Sequence, residues 1–502
     1  MKKIKLILLL VAACTLMPLN AFALDDPEYD NDVEIDGNTY GLIYSNQTAI
    51  LLNWGKKERP SNTVTTPKSI YIDILKKEYP VTAIGNHAFS GAEMGKIVVD
   101  PCVTHIGEYA FSSCPNLYHV ELPDHINTFP KGLFYNSKKF LFLITNRKDF
   151  EEVGDYAFYN TGFYDFFYDV KRVGNYAFYK CTNLEGFDTT KDGVLTEIGD
   201  YAFYGCTNLN SITMSEGLKS VGNNAFDGSG LKAVTMPNSL TSIGSAAFAR
   251  LPNLTTIFFS NDYGTIQPGI FKDCKKLRVV YLGEKNQFSQ NSSVSPFEGC
   301  TALERVEAPI KNPYYMSGSG GVLYSKDGTI LQYYPPGKAI DKVFVISNDV
   351  EQIGNNCFFE NQNLDIVVLP NNLGRIGNMA FYKSSVRALV ATAPSPAFIS
   401  SSFYGLKEQC YLYVPADSYG SYYNSWNYNR QNFKYMGSDG YPVGCDLNGD
   451  HEVNVTDVTH LITKILEGAQ LWGNSYLDVN ADNALNVSDI TFTINRILGV
   501  YE

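Results

Sequence analysis

The sequence predicts a repeat solenoid followed by a small all-α module at the C-terminal end. One phrase, Ile/Val-Gly-x-x-Ala-Phe, returns along most of the 502 residues, and a second, Leu-x-x-Ile/Val-x-Leu/Met, lies between its copies. Near the C-terminus, two twelve-residue segments carry Asp and Asn at matching positions. Periodicity at this scale is the signature of a repeat architecture, so it decides the fold before local propensities are considered.

The first 23 residues predict an export signal peptide. Residues 1–5 form a basic head, residues 6–13 are apolar, and 21–23 read Ala-Phe-Ala, a small-x-small cleavage pattern. The segment ending at Cys14 resembles a lipobox, which would make Cys14 a lipidated N-terminus instead. Cleavage after residue 23 is favoured because the sequence stays apolar beyond Cys14. We therefore expect a secreted or cell-surface protein with no transmembrane span, since no later run approaches the roughly 18 apolar residues of a spanning helix.

Composition and charge limit the possible functions. A chain with 44% hydrophobic and 18% charged residues can bury a large core. A formal net charge of -12 argues against nucleic acid as a partner, because phosphate binding needs clustered Lys and Arg. No catalytic motif has suitable spacing: a nucleophile elbow is absent, and the Gly-rich stretch 317–321 lacks the Lys of a phosphate loop. We expect no enzyme activity, although carboxylates for glycoside hydrolysis stay an open alternative.

The anchor phrase sets the length of the repeat. Its Phe residues are separated by 20 to 26 residues from Phe89 to Phe297, and the period resumes from Phe358. The second phrase places alternate apolar residues on the inner side of a short strand, which a Pro often ends. Each unit is predicted to supply one strand and one turn, and neighbours must stack to cover its apolar face. The anchors are Phe89, Phe111, Phe158, Phe178, Phe203, Phe226, Phe248 and Phe381, with looser copies ending at Phe134, Phe271, Phe297, Phe358 and Phe403.

These phrases resemble the BspA-like class of leucine-rich repeats, a family of bacterial surface and secreted proteins. The resemblance covers residues 81–437, preceded by a cap at 24–80 and followed by a linker at 438–444. Near 313–345 the period is interrupted by an apparent hairpin around Asp327-Gly328, an interruption familiar in that family. The resemblance implies a leucine-rich-repeat solenoid that recognises an unidentified protein or glycan. A cell-surface adhesin for host or matrix proteins is the corresponding alternative.

Two recurring residue types need their own interpretation. Cysteines sit three residues after an anchor Phe, a slot best explained as a small buried hydrophobe in a stacked column. Tyrosines recur on either side of the anchor and could stack on sugars or grip a protein, although packing between repeats is the simpler interpretation. Outward strand residues are alternative contacts. These sets are Cys114, Cys181, Cys206, Cys274 and Cys300; Tyr109, Tyr156, Tyr176 and Tyr201 before the anchor; Tyr159, Tyr179, Tyr204 and Tyr382 after it; and Tyr118, Phe258 and Tyr281 on strands.

The two C-terminal segments, 446–457 and 478–489, carry oxygen side chains at positions 1, 3, 5, 9 and 12. That arrangement wraps a hard cation such as Ca²⁺ in an EF-hand-type loop, so two calcium sites are predicted. The first site departs from the ideal at its sixth position, His451, more than the second does at Asn483. The predicted ligands are Asp446, Asn448, Asp450, Asn454 and Asp457 with the Glu452 carbonyl, and Asp478, Asn480, Asp482, Asn486 and Asp489 with the Ala484 carbonyl.

Each loop leads into a predicted short amphipathic helix, at 458–466 and 490–498. Two loop-helix copies at the end of an exported chain resemble a type I dockerin, predicted over residues 445–502. The resemblance implies calcium-dependent binding to a cohesin domain of a scaffold protein, in an extracellular complex linked to polysaccharide degradation. Cohesin contacts in that family point here to Val455, Thr456, Val487 and Ser488. The alternative is a calcium-stapled terminal domain without a partner.

Overall fold

The computed structural model describes residues 28–55, 63–188, 194–289, 294–338, 342–406, 410–414, 418–426, 433–436, 455–466, 487, 490–491 and 493–494. The chain divides into two units, residues 1–254 and 255–502. Among the described helices, none is long and apolar enough to cross a lipid bilayer.

The first unit begins with a β-rich cap. Strands β1, β2 and β3 pair antiparallel, and β3 then pairs in parallel with β6. β6 continues to Ile84, so the last strand of the cap contains the start of the first anchor phrase. The cap strands are β1 (Asn31–Ile35), β2 (Asn38–Ile43), β3 (Thr48–Asn53), β4 (Thr63–Thr65), β5 (Ser69–Ile72) and β6 (Lys77–Ile84).

The repeats of the first unit form two rows of short parallel strands. Odd-numbered strands come from the Leu phrase and even-numbered strands from the start of the anchor phrase. β10, β12, β14, β16, β18 and β20 make one parallel sheet, and β4, β7, β9 and β11 make another. The strands are β7 (Lys96–Val98), β8 (His105–Ile106), β9 (His119–Glu121), β10 (Thr128–Phe129), β11 (Phe142–Ile144), β12 (Asp149–Val153), β13 (Asp165–Phe166), β14 (Asp169–Val173), β15 (Gly186–Phe187), β16 (Glu197–Ile198), β17 (Ser211–Ile212), β18 (Ser220–Val221), β19 (Ala233–Thr235) and β20 (Ser242–Ile243).

The solenoid is confirmed, but each repeat supplies two strands where the sequence predicted one. The second strand has only two residues in most repeats, such as Glu197–Ile198, of which Ile198 alone is buried. A single buried residue leaves no alternating pattern in the sequence. The extra strand therefore gives no periodic signal of its own.

The anchor phenylalanines form the centre of the core. The Phe203 ring stacks on Phe178 and on Phe226, with ring centroids 5.2 Å apart and planes within 3° in both pairs. Its backbone N–H donates to the Ala225 carbonyl of the next repeat at 2.7 Å. The anchor turn is thus joined to its neighbour by a ring stack and a backbone hydrogen bond, which explains the constant Ala-Phe pair.

The glycine of the anchor phrase is required by close approach between repeats. A Cβ on Gly222 would lie 2.5 Å from the backbone nitrogen of Asp200, closer than real Cβ contacts allow. In several repeats the residue after this glycine is Asn or Asp, and its side chain caps the turn of the next repeat. Asn175 Oδ1 accepts from the Asp200 N–H at 2.8 Å, and Asp200 Oδ1 accepts from the Asn223 N–H at 2.6 Å. This ladder of Asn and Asp side chains was not predicted from the sequence.

The cysteine slot is buried, as predicted, and it has a second role. Cys181 and Cys206 are both free, and each thiol donates to the anchor Phe carbonyl of the preceding repeat, at 2.9 and 3.0 Å. Ser137 fills the same slot and donates to the Phe111 carbonyl at 2.8 Å. The slot therefore selects small side chains that donate a hydrogen bond.

The second unit repeats the same construction and, among the described residues, carries the helices α1 and α2 after the repeats. β26, β27 and β28 form an antiparallel hairpin structure, and β28 then pairs in parallel with β30. Trp426 and Tyr422 close the repeat core; the Trp426 indole donates to the Ala397 carbonyl at 2.9 Å. The elements are β21 (Thr256–Phe258), β22 (Thr265–Ile266), β23 (Val279–Tyr281), β24 (Gln287–Phe288), β25 (Arg305–Glu307), β26 (Tyr315–Ser317), β27 (Leu323–Ser325), β28 (Ile330–Tyr333), β29 (Val343–Val345), β30 (Gln352–Ile353), β31 (Ile366–Leu369), β32 (Arg375–Ile376), β33 (Ala388–Ala391), β34 (Cys410–Tyr413), α1 (Tyr419–Ser425), β35 (Phe433–Met436) and α2 (Val455–Leu466).

Candidate functional site

The helix that follows the first predicted calcium loop begins earlier than expected. α2 starts at Val455, three residues before the predicted start, and Val487 is helical at the equivalent place in the second copy. Asp457 consequently lies in the first turn of α2. A carboxylate there interacts favourably with the partial positive charge of the helix N-terminus, which explains the early start.

Asp457 is the one predicted calcium ligand within the described residues. It is fully buried, at 0% exposure, which is unusual for a carboxylate. A buried carboxylate oxygen at loop position twelve is the donor type that a calcium ligand set needs, so Asp457 fits a resident Ca²⁺. The other eleven predicted ligands lie outside the described residues: Asp446, Asn448, Asp450, Glu452, Asn454, Asp478, Asn480, Asp482, Ala484, Asn486 and Asp489.

The C-terminal module packs on one face of the second unit's sheet. β29, β31, β33 and β34 pair in parallel, and β31 and β33 are buried at every position. One face of these strands belongs to the repeat core, and the other forms a separate apolar cluster with the module helices. Its sheet members are Val343, Ile366, Val368, Ala388, Val390 and Tyr413, and its module members are Val455, Val458, Leu461, Ile462, Ile490 and Ile494.

The sequence carries a signal for this covered face. β31 reads Ile-Val-Val-Leu and β33 reads Ala-Leu-Val-Ala, whereas β9 reads His-Val-Glu with one apolar residue between two polar ones. A parallel strand buried on both faces is apolar throughout, and a half-buried one alternates. The change from alternating to continuous apolar strands thus marks where the module packs.

This packing determines how accessible the predicted cohesin-contact residues are. Val455 is 5% exposed and belongs to the shared apolar cluster, and Val487 packs against it. Thr456 is partly exposed, and Ser488 lies outside the described residues. Two of the four predicted contact residues therefore lie in the same apolar cluster as the repeat sheet.

The periodic tyrosines of the first unit form two stacked columns. Tyr176 stacks on Tyr201 with centroids 4.8 Å apart and planes 7° apart, and Tyr159 stacks on Tyr179 at 4.7 Å and 3°. Because neighbouring rings cover each other's faces, the columns present mainly ring edges and hydroxyls. Burial is the main cause that raises the pKa of Tyr159 and of Tyr176. This geometry favours packing between repeats over stacking on sugars.

A groove beside β10 and β12 encloses a cavity of about 460 Å³ and contains several carboxylates. Each of them lies beside a cation. Lys131 Nζ is 3.7 Å from Glu108, while Arg172 pairs with Glu152 and lies 3.9 Å from Asp155. The groove therefore holds charges that are paired between neighbouring repeats.

Comparison with known proteins agrees with the observed architecture. A family model described as BspA type leucine rich repeat region matches in six copies, over residues 68–185, 196–314 and 339–422, and a dockerin type I domain model matches residues 445–498. A leucine-rich repeat protein from Bacteroides ovatus is 18% identical, with a TM-score of 0.50 over 80% of this chain and 99% of that one. A leucine rich cell surface protein from Faecalibacterium prausnitzii is 19% identical, with a TM-score of 0.36 over 82% and 96%. No curated protein matches significantly.

Both predicted family resemblances are thus confirmed, and the Bacteroides ovatus structure supports the fold of the solenoid. The chain belongs to the BspA-type leucine-rich-repeat family and carries a type I dockerin domain at its C-terminal end.

Proposed function

We propose that this protein is an exported, non-catalytic recognition subunit of an extracellular complex. In this proposal the repeats bind a protein or glycan, and the dockerin attaches the chain to a cohesin domain of a scaffold protein. The observation that carries the proposal is the dockerin match at 445–498, which coincides with two aligned oxygen-rich loops. The assembly is one that degrades polysaccharides, where a recognition subunit would hold the complex near its substrate.

Two Ca²⁺ ions are proposed to hold the module together. Residues 445–502 contain nine Asp or Glu against one Lys and one Arg, a net charge of 2 - 9 = -7. Without cations these carboxylates repel one another, so metal binding and folding should be coupled. The buried carboxylate of Asp457 at loop position twelve supports this proposal, because a carboxylate oxygen held inside the fold is the donor type that Ca²⁺ takes.

The proposal is tested with the full chain on a panel of cohesin domains. We expect one or more cohesins to retain the protein in Ca²⁺ and to release it in EGTA. An Asp446→Ala/Asp478→Ala double variant should lose retention, whereas Glu467→Gln, which removes a carboxylate outside both loops, should keep it. If no cohesin retains the chain at any calcium concentration, a cell-surface adhesin with a calcium-stapled terminal domain becomes the better explanation.

A further inference from the structure

An exposed apolar patch lies on the outward face of the first unit's strands. Phe142 and Ile144 flank the inner residue of β11 and are 54% and 49% exposed, and Phe167 just after β13 is 59% exposed. Tyr118 and Tyr164, each just before a strand, are also exposed. Large apolar side chains that cluster on a surface mark interaction sites, in contrast to scattered ones.

The patch spans adjacent repeats. The Phe140 and Phe163 rings beneath it stack with centroids 5.6 Å apart, and the Tyr168 hydroxyl donates to the Leu143 carbonyl at 3.3 Å. The strands that carry the patch are therefore fixed by buried contacts between repeats. Because the backbone that carries these exposed side chains is already ordered, binding a partner costs little backbone conformational entropy.

The surroundings of the patch differ on its two sides. Towards β7, Lys96 Nζ lies 2.5 Å from Glu121, so this side is charge-balanced. Towards β15 lie Asp165, Glu185 and Asp188, and none of these three forms an ion pair among the described residues. The patch therefore has a neutral border on one side and an acidic border on the other.

Gly186 opens a notch in the acidic border. Among the described residues, a Cβ placed there would have two neighbours within 4 Å, Asp165 Oδ1 at 3.4 Å and Asp188 Oδ2 at 3.9 Å. Asp165 Oδ1 is buried and has no hydrogen-bond partner in the described part of the chain. Burial first, and then the charges of Asp188 and Glu185, raise the pKa of Asp165. A cationic hydrogen-bond donor at the notch would give Asp165 Oδ1 a partner and would offset the repulsion from Asp188 and Glu185.

The chemistry of this surface favours a protein partner over a neutral glycan. Phe142, Ile144 and Phe167 offer no hydrogen-bonding groups for sugar hydroxyls, and the Tyr164 hydroxyl already donates to Glu185 at 2.9 Å. Carboxylates that form no ion pair among the described residues, beside exposed aromatic rings, instead match Lys or Arg, which bind carboxylates by charge and aromatic faces by cation–π attraction. We infer that this patch binds a protein segment that presents Lys or Arg beside apolar side chains. This inference rests on the proposed recognition role of the repeats and names the class of their ligand.

The test uses the immobilised full chain in Ca²⁺ and defined probes. The first probe is a decapeptide that alternates Lys with Phe and Val, the second carries Glu in place of every Lys, and the third is a set of neutral hexasaccharides. We expect the Lys peptide alone to bind, with affinity that falls as NaCl rises. Phe167→Ser and Asp188→Asn should each weaken it at least about tenfold, as for contact residues at an interface centre.

Tyr71→Ser is the matched control, because Tyr71 is 57% exposed on β5 of the cap. It should leave peptide binding unchanged. The inference is overturned if the Lys peptide does not bind, if the Glu peptide binds equally well, or if neither patch variant weakens binding. It is also overturned if a hexasaccharide binds the parent chain and Phe142→Ser loses that binding. Calcium-dependent cohesin retention is measured in the same variants. It should be unaffected, so failure of the dockerin proposal is distinguishable from failure of this one.

Discussion

Replacing Val368 with Asp should release the C-terminal module from the repeat sheet. Val368 is 2% exposed on the face of β31 that carries the shared apolar cluster, while its neighbour Val367 belongs to the repeat core. The change therefore places a carboxylate under the module helices and leaves the inner face of the strand intact. The solenoid should stay folded while the module leaves the sheet.

The size of the effect follows from what α2 buries. It contributes four buried apolar side chains to the cluster, and each is worth about 1.5–3 kcal/mol, or about 6–12 kcal/mol in total. This total is an upper bound, since part of that burial lies within the module. An unpaired buried carboxylate costs several kcal/mol even after relaxation. We expect the free energy of opening α2 to fall by about 3 kcal/mol, which corresponds to about 100-fold.

Hydrogen exchange followed by mass spectrometry measures this opening directly. In Ca²⁺, amides of residues 455–466 should exchange about 100-fold faster in Val368→Asp than in the parent. Phe258→Asp is the matched control, because Phe258 is an outward strand residue that is 42% exposed and outside the cluster. Unchanged exchange of α2 in Val368→Asp, or equal acceleration in both variants, would refute the packing of the module on this face.

Four further predictions concern the repeat core and the packing of the C-terminal module on the repeat sheet. Phe203→Ala should lower the free energy of unfolding by about 3–5 kcal/mol in urea denaturation followed by circular dichroism, because the fully buried ring stacks on both sides; Tyr71→Ala should stay within about 0.5 kcal/mol. Gly222→Ala should lower Tm clearly, whereas Gly186→Ala should not, because its added Cβ has no neighbour closer than 3.4 Å in the described part of the chain. Burial raises the pKa of the Cys181 thiol from 9.0 to about 11. The neutral thiol therefore contributes stability that is fully present below pH 9 and is lost as the pH rises towards 11. Over that pH range, Cys181→Ala should lose less free energy of unfolding than the parent. Val368→Asp should also bind cohesin more tightly if Val455 is a cohesin contact, since that residue would no longer be covered; equal affinity would argue against that role.

Much of the fold could be predicted because the repeat phrases encode it directly. The Phe anchors, the small cysteine slot and the turn glycine each follow from a spacing that recurs about every 20–26 residues. The second strand and the ladder of Asn and Asp side chains could not be found this way. A two-residue strand carries no period, and an Asn or Asp after Gly is equally typical of an ordinary turn.

Of the candidate site, too, one part could be predicted from the sequence and another part could not. The loop ligands could be proposed from one alignment of two segments, because calcium ligation fixes residue type and spacing. The packing of Val455 and Val487 on the sheet could not, because it depends on an apolar cluster whose members lie more than a hundred positions apart in the chain, such as Val343 and Val455. The continuous apolar strands β31 and β33 did signal a covered face, but they do not identify what covers it.

Isothermal calorimetry of the chelator-treated full chain, titrated with Ca²⁺, measures whether the C-terminal module holds the two predicted ions. We expect uptake of about two Ca²⁺ ions per chain, with the first loop weaker because of His451, and loss of one site each in Asp446→Ala and Asp478→Ala. Heat signals that show no binding, or binding that survives both substitutions together, would contradict this prediction.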